Sequence, residues 1–244
     1  LSAAICMFPT VDQAVRTVIE TIQLGVPIAR CELLDQLTIK AVNQYSKLEL
    51  RETPMLLCEF HGTPASVEEQ AKTVQDIATN NGGLDFQWAT KQEERTKLWQ
   101  ARHDAYRACI QLRPGHRGFS TDVCVPVSRL AECIAETARD VADSSLTIAL
   151  FGHVGDGNFH LVILVDPAST RDHDEAEAIN QRVVKRALGM GGTSTGEHGI
   201  GIGKLDFLEA EHADAVEVMR AIKRTLDPHN ILNPGKVVRL NSET

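Results

Sequence analysis

A short apolar run, a polar cap and an amphipathic helix follow one another twice within the first 90 residues. Residues 3–8 form a predicted strand. Thr10 and Gln13 then stand at capping-box spacing, where polar side chains satisfy free backbone N–H groups of a helix's first turn. Val11, Val15, Val18, Ile19 and Ile22 recur at helical intervals. Gly25 closes that helix, and residues 27–34 form a second predicted strand. The unit then repeats: strand 55–60, Ser66 and Glu69 as the cap, and Val67, Ala71, Val74, Ile77 and Ala78 as the stripe. Residues 80–83 stop that helix, and 86–89 are a short strand. This order predicts an α+β fold, a largely antiparallel sheet covered by helices.

The rest of the chain continues the pattern. A helix over 92–110 carries Trp99, Arg102 and Tyr106, and a loop covers 113–118. Residues 119–126, 146–151 and 158–165 are predicted strands; 128–142, 174–188 and 213–226 are predicted helices. The segment 189–204 is glycine-rich and irregular. No linker divides the chain, so 1–244 is expected to be one domain. Its sheet part should run to about 205, followed by a helical tail over 206–244.

Bulk composition removes some functions. The net charge of −8, without a basic run, argues against nucleic acid as the main partner, because phosphate contact needs concentrated positive charge. No 18-residue apolar run could span a membrane. The six cysteines form no CxxC pair and are expected to be buried free thiols.

Chemistry concentrates in two segments. The first is Gly152-His-Val-Gly-Asp-Gly-Asn-Phe-His160, with Asp156-Gly157 between two apolar runs. That dipeptide predicts a two-residue hairpin turn. The resulting register pairs His153 with His160 on one face, near enough to share one metal ion. The second segment is Thr193-Ser-Thr-Gly-Glu197-His198-Gly-Ile-Gly201-Ile-Gly203-Lys204. Glycines around an adjacent acid and histidine suggest backbone packed close to a ligand, and this segment is where a third, carboxylate ligand is sought. Two histidines and a carboxylate leave coordination positions open, the pattern of a catalytic site, and accept zinc, manganese or iron. The segment has neither dinucleotide-fingerprint spacing nor a phosphate-binding loop: Lys204 stands where the last glycine should be, and Leu205 replaces Ser or Thr.

These two segments, with Leu226-Asp-Pro-His-Asn-Ile-Leu-Asn-Pro-Gly-Lys236, Leu98-Trp99-Gln-Ala-Arg102 and Ser120-Thr-Asp-Val-Cys-Val-Pro126, are similar to the C-terminal region of FAD-linked oxidases. The match is to the D-lactate dehydrogenase (cytochrome) type, related to D-2-hydroxyglutarate dehydrogenase and the glycolate oxidase FAD subunit. The resemblance implies the substrate (cap) domain of a vanillyl-alcohol-oxidase-like flavoprotein, with the N-terminal FAD-binding domain absent from this chain. It implies FAD and a divalent metal as cofactors, with His153, His160 and Glu197 as metal ligands. It also implies His198 as the general base, Arg102 as the clamp on the substrate carboxylate, and Asn233 near the flavin. Ser120 and Val162 stand where the diacid enzyme carries lysine and asparagine, which favours lactate or another short D-2-hydroxy acid. A quinone or a cytochrome is the implied electron acceptor, and a homodimer is left open. The expected location is mitochondrial in a eukaryote, and cytoplasmic or peripheral on the inner membrane in a bacterium. Two other classes stay open from the residues alone: a metal-dependent hydrolase using the same site, and a non-catalytic binding module.

Overall fold

A computed structural model describes residues 1–240. Eight strands form one antiparallel sheet: β1 (Ser2–Met7), β2 (Ile28–Leu34), β3 (Met55–Phe60), β4 (Leu84–Ala89), β5 (Arg117–Ser120), β6 (Val123–Cys124), β7 (Thr147–Gly152) and β8 (Asn158–Val165). Their spatial order is β4-β1-β3-β2-β7-β8-β5, with β6 paired to β8 beside β5. Every pairing is antiparallel, as the sequence pattern predicts.

Seven helices cover both faces: α1 (Val11–Gln23), α2 (Gln36–Ser46), α3 (Pro64–Asn80), α4 (Gln92–Gln111), α5 (Leu130–Val141), α6 (Thr170–Gly189) and α7 (Leu205–Leu226). Side chains of α1, α3, α5 and α6 pack with Leu33, Leu56, Phe159, Leu161 and Ile163 on one face. On the other face α2 and α4 pack against Leu34, Leu57, Phe151, Val162 and Leu164. The alternation along β8 is therefore a division between two cores, which explains why the whole strand is buried. Phe159 alone, fully buried, stabilises the fold by about 1.5–3 kcal/mol relative to an exposed ring.

Several local expectations need correction. Helix α3 starts at Pro64 and is capped by Thr63, whose hydroxyl accepts from Ser66 N–H at 3.3 Å. Proline suits the first helical position because its missing N–H has no partner there anyway. Helix α2 adds to the predicted elements: Asp35 caps it by accepting from Thr38 N–H, and Ile39, Ala41 and Val42 are its buried apolar side chains. The predicted strand 119–126 is broken at Thr121–Asp122, and α7 begins eight residues before the predicted start, at Leu205 rather than 213. The tail builds a small core of its own from Leu208, Val216 and Val238, packed with Ile200 and Met219. All six cysteines are free, and only Cys124 is not buried. Among the described residues, no helix is long and apolar enough to cross a membrane.

Candidate metal centre and active site

The Gly152–His160 segment makes a hairpin, but not the two-residue turn expected. Phe151, not His153, is the cross-strand partner of His160. Residues 154–156 form a 3₁₀ turn, and Gly157 closes the loop at φ 80°. A Cβ at Gly157 would lie 2.1 Å from the Val125 carbonyl oxygen, so that strand crosses too closely for any side chain. His153 therefore sits past the last β7–β8 ladder pair. The two imidazoles still converge, with ring centroids 5.9 Å apart and nearly perpendicular.

Glu197 completes the cluster. Its Oε1 lies 3.1 Å from His160 Nε2 and 3.3 Å from His153 Nε2, and the three ligand atoms fall within 4.8 Å of one another. Around one ion, with bonds of about 2.1 Å, tetrahedral ligands stand about 3.4 Å apart. The partners of the other ring nitrogens fix the tautomers. His160 Nδ1 lies 3.0 Å from the Thr121 carbonyl, which can only accept, so Nδ1 carries the proton. His153 Nδ1 lies 2.6 Å from Glu32 Oε1, while Arg102 Nη2, which can only donate, lies 3.3 Å from His153 Nε2. Both Nε2 atoms thus carry lone pairs: that of His160 faces the Glu197 oxygen, and that of His153 lies within reach of both Arg102 Nη2 and Glu197. His160 Nε2 is buried and makes no hydrogen bond despite the nearby oxygen. Two ring nitrogens and a carboxylate oxygen converging in this way are a donor set that fits a divalent metal.

Electrostatics separate the two histidines. Burial pushes the His160 pKa down, which favours the neutral ring. The hydrogen bond to Glu32 pushes the His153 pKa up against its own burial.

Asp122 is the residue the sequence reading missed. It is fully buried at the break between β5 and β6. Its carboxylate accepts from His198 N–H at 3.0 Å, Glu197 N–H at 3.2 Å, Thr195 Oγ1 at 2.9 Å, Asn158 Nδ2 at 2.9 Å and Lys204 Nζ at 3.1 Å. Burial alone would raise its pKa. The His198 N–H, the Asn158 amide, the Lys204 charge and the Thr195 hydroxyl outweigh it, holding the carboxyl well below the usual range. Asp122 also lies near His160 and His198, but donors already occupy both oxygens, so it serves as the loop's anchor and not as a ligand. Of the loop glycines, only Gly196 is tightly packed: a Cβ there would lie 2.0 Å from Asn158 Nδ2. Nothing lies within 4 Å of the corresponding points at Gly199, Gly201 or Gly203. Within Thr193–Lys204, the tight packing of backbone against the protein itself is thus at Gly196.

The remaining expected residues divide into two places. His198 stacks on the His160 ring at 5.0 Å and 9°, with its side chain 44% exposed, so one face of the site is open to a substrate. Arg102, from α4, lies over the Phe151 ring at 5.3 Å and bonds Glu32 through Nε at 2.9 Å. Ser120 and Val162 are cross-strand partners on β5 and β8, two residues along β8 from His160. Asn233 lies elsewhere, in a groove of about 630 Å³ lined with Gly201, Leu226, Lys236 and Val237, and it adopts φ 48°. Glu32 is the second missed residue. Its signal was an acid at a strand position whose alternation places Leu34 in the core.

The profile of the family described as FAD linked oxidases, C-terminal domain, matches residues 2–237. The chain belongs to this family. This FAD-linked oxidase domain is 48% identical over 239 residues to a probable mitochondrial D-lactate dehydrogenase of Danio rerio, covering 98% of this chain and 48% of the relative. It is 45% identical over 236 residues to the mitochondrial D-lactate dehydrogenase [cytochrome] of Arabidopsis thaliana, covering 96% of this chain and 42% of that one. The glycolate oxidase subunit GlcD of Bacillus subtilis is 33% identical over 239 residues, with 96% and 50% covered. The domain spans about half the length of these relatives. Its fold matches 4-ethylphenol oxidase from Gulosibacter chungangensis with a TM-score of 0.71 at 16% identity, over 96% of this chain and 53% of that one. The fold is that of vanillyl-alcohol-oxidase-type flavoproteins.

Proposed function

We propose that this chain is the substrate-side half of a flavin-dependent D-2-hydroxy-acid dehydrogenase, oxidising D-lactate to pyruvate beside a divalent metal. The observation that carries this reading is the convergence of the His153 and His160 Nε2 atoms on the Glu197 carboxylate, inside an FAD-linked oxidase domain. The flavin would be held by a further domain of the length its relatives carry, with the 206–244 tail and Asn233 facing it; residues 241–244 lie outside the described residues.

A metal held by His153, His160 and Glu197 would supply Lewis acidity, and FAD would supply the hydride acceptor. The protein's own groups do the rest. Arg102 binds the substrate carboxylate through its terminal N–H groups and fixes which face of the α-carbon is presented. His198 takes the proton from the α-hydroxyl onto an imidazole nitrogen. Loss of that proton and of a hydride from the α-carbon leaves the 2-oxo acid. Val162 is fully buried and Ser120 is small, so neither offers a charged partner to a second carboxylate. That favours a short monoacid. The names of the relatives support a cytochrome acceptor and a mitochondrial location in a eukaryote.

The test is His198→Ala in the complete flavoprotein. Single-turnover flavin reduction by D-lactate should slow about 10²–10⁴-fold, the range for loss of a general base, while bound metal is retained. An unchanged reduction rate removes His198 from the reaction. A panel of D-2-hydroxy acids then checks the substrate: higher kcat/KM for a diacid than for D-lactate would refute the monoacid pocket.

A further inference from the structure

Glu32 is a buried carboxylate, 4% exposed, and its oxygens are divided between two partners. Oε2 accepts from Arg102 Nε at 2.9 Å, and Oε1 accepts from His153 Nδ1 at 2.6 Å. We infer that Glu32 is a positioning residue that sets the His153 tautomer and tethers Arg102, aligning the metal ligand and the substrate clamp through one buried group. The inference rests on the roles proposed above for His153 and Arg102.

Geometry explains why both partners need such a group. His160 is held by strand register, with Phe151 opposite and the Thr121 carbonyl at Nδ1. His153 lies in the hairpin loop, beyond the ladder, so register does not aim its ring. Without an acceptor at Nδ1, either ring nitrogen could carry the proton, and the Nε2–H form cannot donate a lone pair to a metal. Arg102 has a long side chain whose other constraint is the Phe151 ring. A bond at Nε fixes the guanidinium plane and leaves the terminal nitrogens on the open side, where Nη2 already lies 3.3 Å from His153 Nε2. A simple helix-to-sheet ion pair would account for Arg102 alone. The short contact from the second oxygen to a ring nitrogen is what that explanation leaves out.

Wild-type protein stripped of metal and labelled with ¹⁵N-histidine answers first, in long-range ¹H–¹⁵N spectra at about pH 9, where imidazoles are neutral. His153 is expected as the Nδ1–H tautomer. An Nε2–H tautomer overturns the inference without any variant. In Glu32→Gln, a neutral amide with one acceptor and one donor replaces the carboxylate, so one partner loses its bond and the other keeps only a weaker, uncharged one. His153 should shift toward Nε2–H, and zinc affinity, read by chelator competition, should fall about 10–100-fold. In the metal-loaded complete enzyme, KM for D-lactate should rise about tenfold, with a smaller change in kcat, as the clamp loosens. Glu32→Met with Arg102→Met removes the buried ion pair as a unit and leaves His153 Nδ1 no acceptor at this position, and serves if the single variant fails to fold. It should show the same tautomer shift. A native tautomer with zinc affinity within about twofold of wild type, in either folded variant, overturns the His153 half. An unchanged KM in folded Glu32→Gln overturns the Arg102 half. His153→Ala separates the two levels. Wild-type zinc affinity there defeats the metal site itself, whereas loss of zinc there with none in Glu32→Gln defeats only the role of Glu32.

Discussion

His160→Ala is expected to abolish divalent-metal binding at the proposed centre. The His160 side chain is 4% exposed, and its Nε2 is the one ligand atom sealed from water and without a hydrogen bond. Asp122 cannot take its place, because it already spends both oxygens on the loop. Removing an outer partner of a metal ligand costs about 10–100-fold in affinity, so losing the ligand itself should cost at least about 100-fold. Elemental analysis after dialysis reads this directly. His160→Gln keeps more of the volume and guards against a packing artefact. Stoichiometric metal in both variants would refute the ligand set.

Asp122→Ala should produce the largest loss of stability. The change strands the Lys204 ammonium, which is 15% exposed, and frees the N–H groups of Glu197 and His198. Breaking one partner of a buried charge pair typically costs about 3–5 kcal/mol. Urea unfolding would measure that loss, and amide exchange at residues 197 and 198 should quicken with it. A change below about 1 kcal/mol would mean that the loop holds its shape by other means. The wild-type contribution has a defined acid limit. Because the folded Asp122 pKa is depressed, its stabilisation is complete above the ordinary value of 3.8. It fades below that value and is lost as pH falls through the folded pKa, a fading that Asp122→Ala should not show.

Much of this architecture is legible in the sequence because period-2 and period-3.6 patterns report burial directly. The strand at Asn158–Val165 matches its predicted bounds. What failed were features decided by contacts remote in sequence. Helix α2 is stabilised by its packing on α4, a partner 58 residues away in the chain where Ser46 bonds Asp104. The Asp156-Gly157 dipeptide predicts a tight turn, but the close crossing of Val125 beside Gly157 accompanies a longer loop. His153 and His160 still meet because the loop carries His153 back over the sheet face that His160 occupies. Glu197 and His198 are brought to that face by Asp122, about 75 residues earlier in the chain. An aspartate at the head of an apolar run is a signal, but its five donors come from Asn158 and the 195–204 loop, both remote in sequence, and could not be read in advance.

The unequal footing of the two histidines limits how the proposed centre can vary. A one-residue slip of β8 would exchange His160 for Phe159 or Leu161 and bury the wrong face, so that ligand can change only if the sheet does. His153 has no such lock. A residue gained or lost within 154–157 would move its imidazole while leaving the strands paired. Changes in the size, affinity or choice of the ion can therefore accumulate in that short loop, and the same sheet can serve enzymes with differently shaped centres.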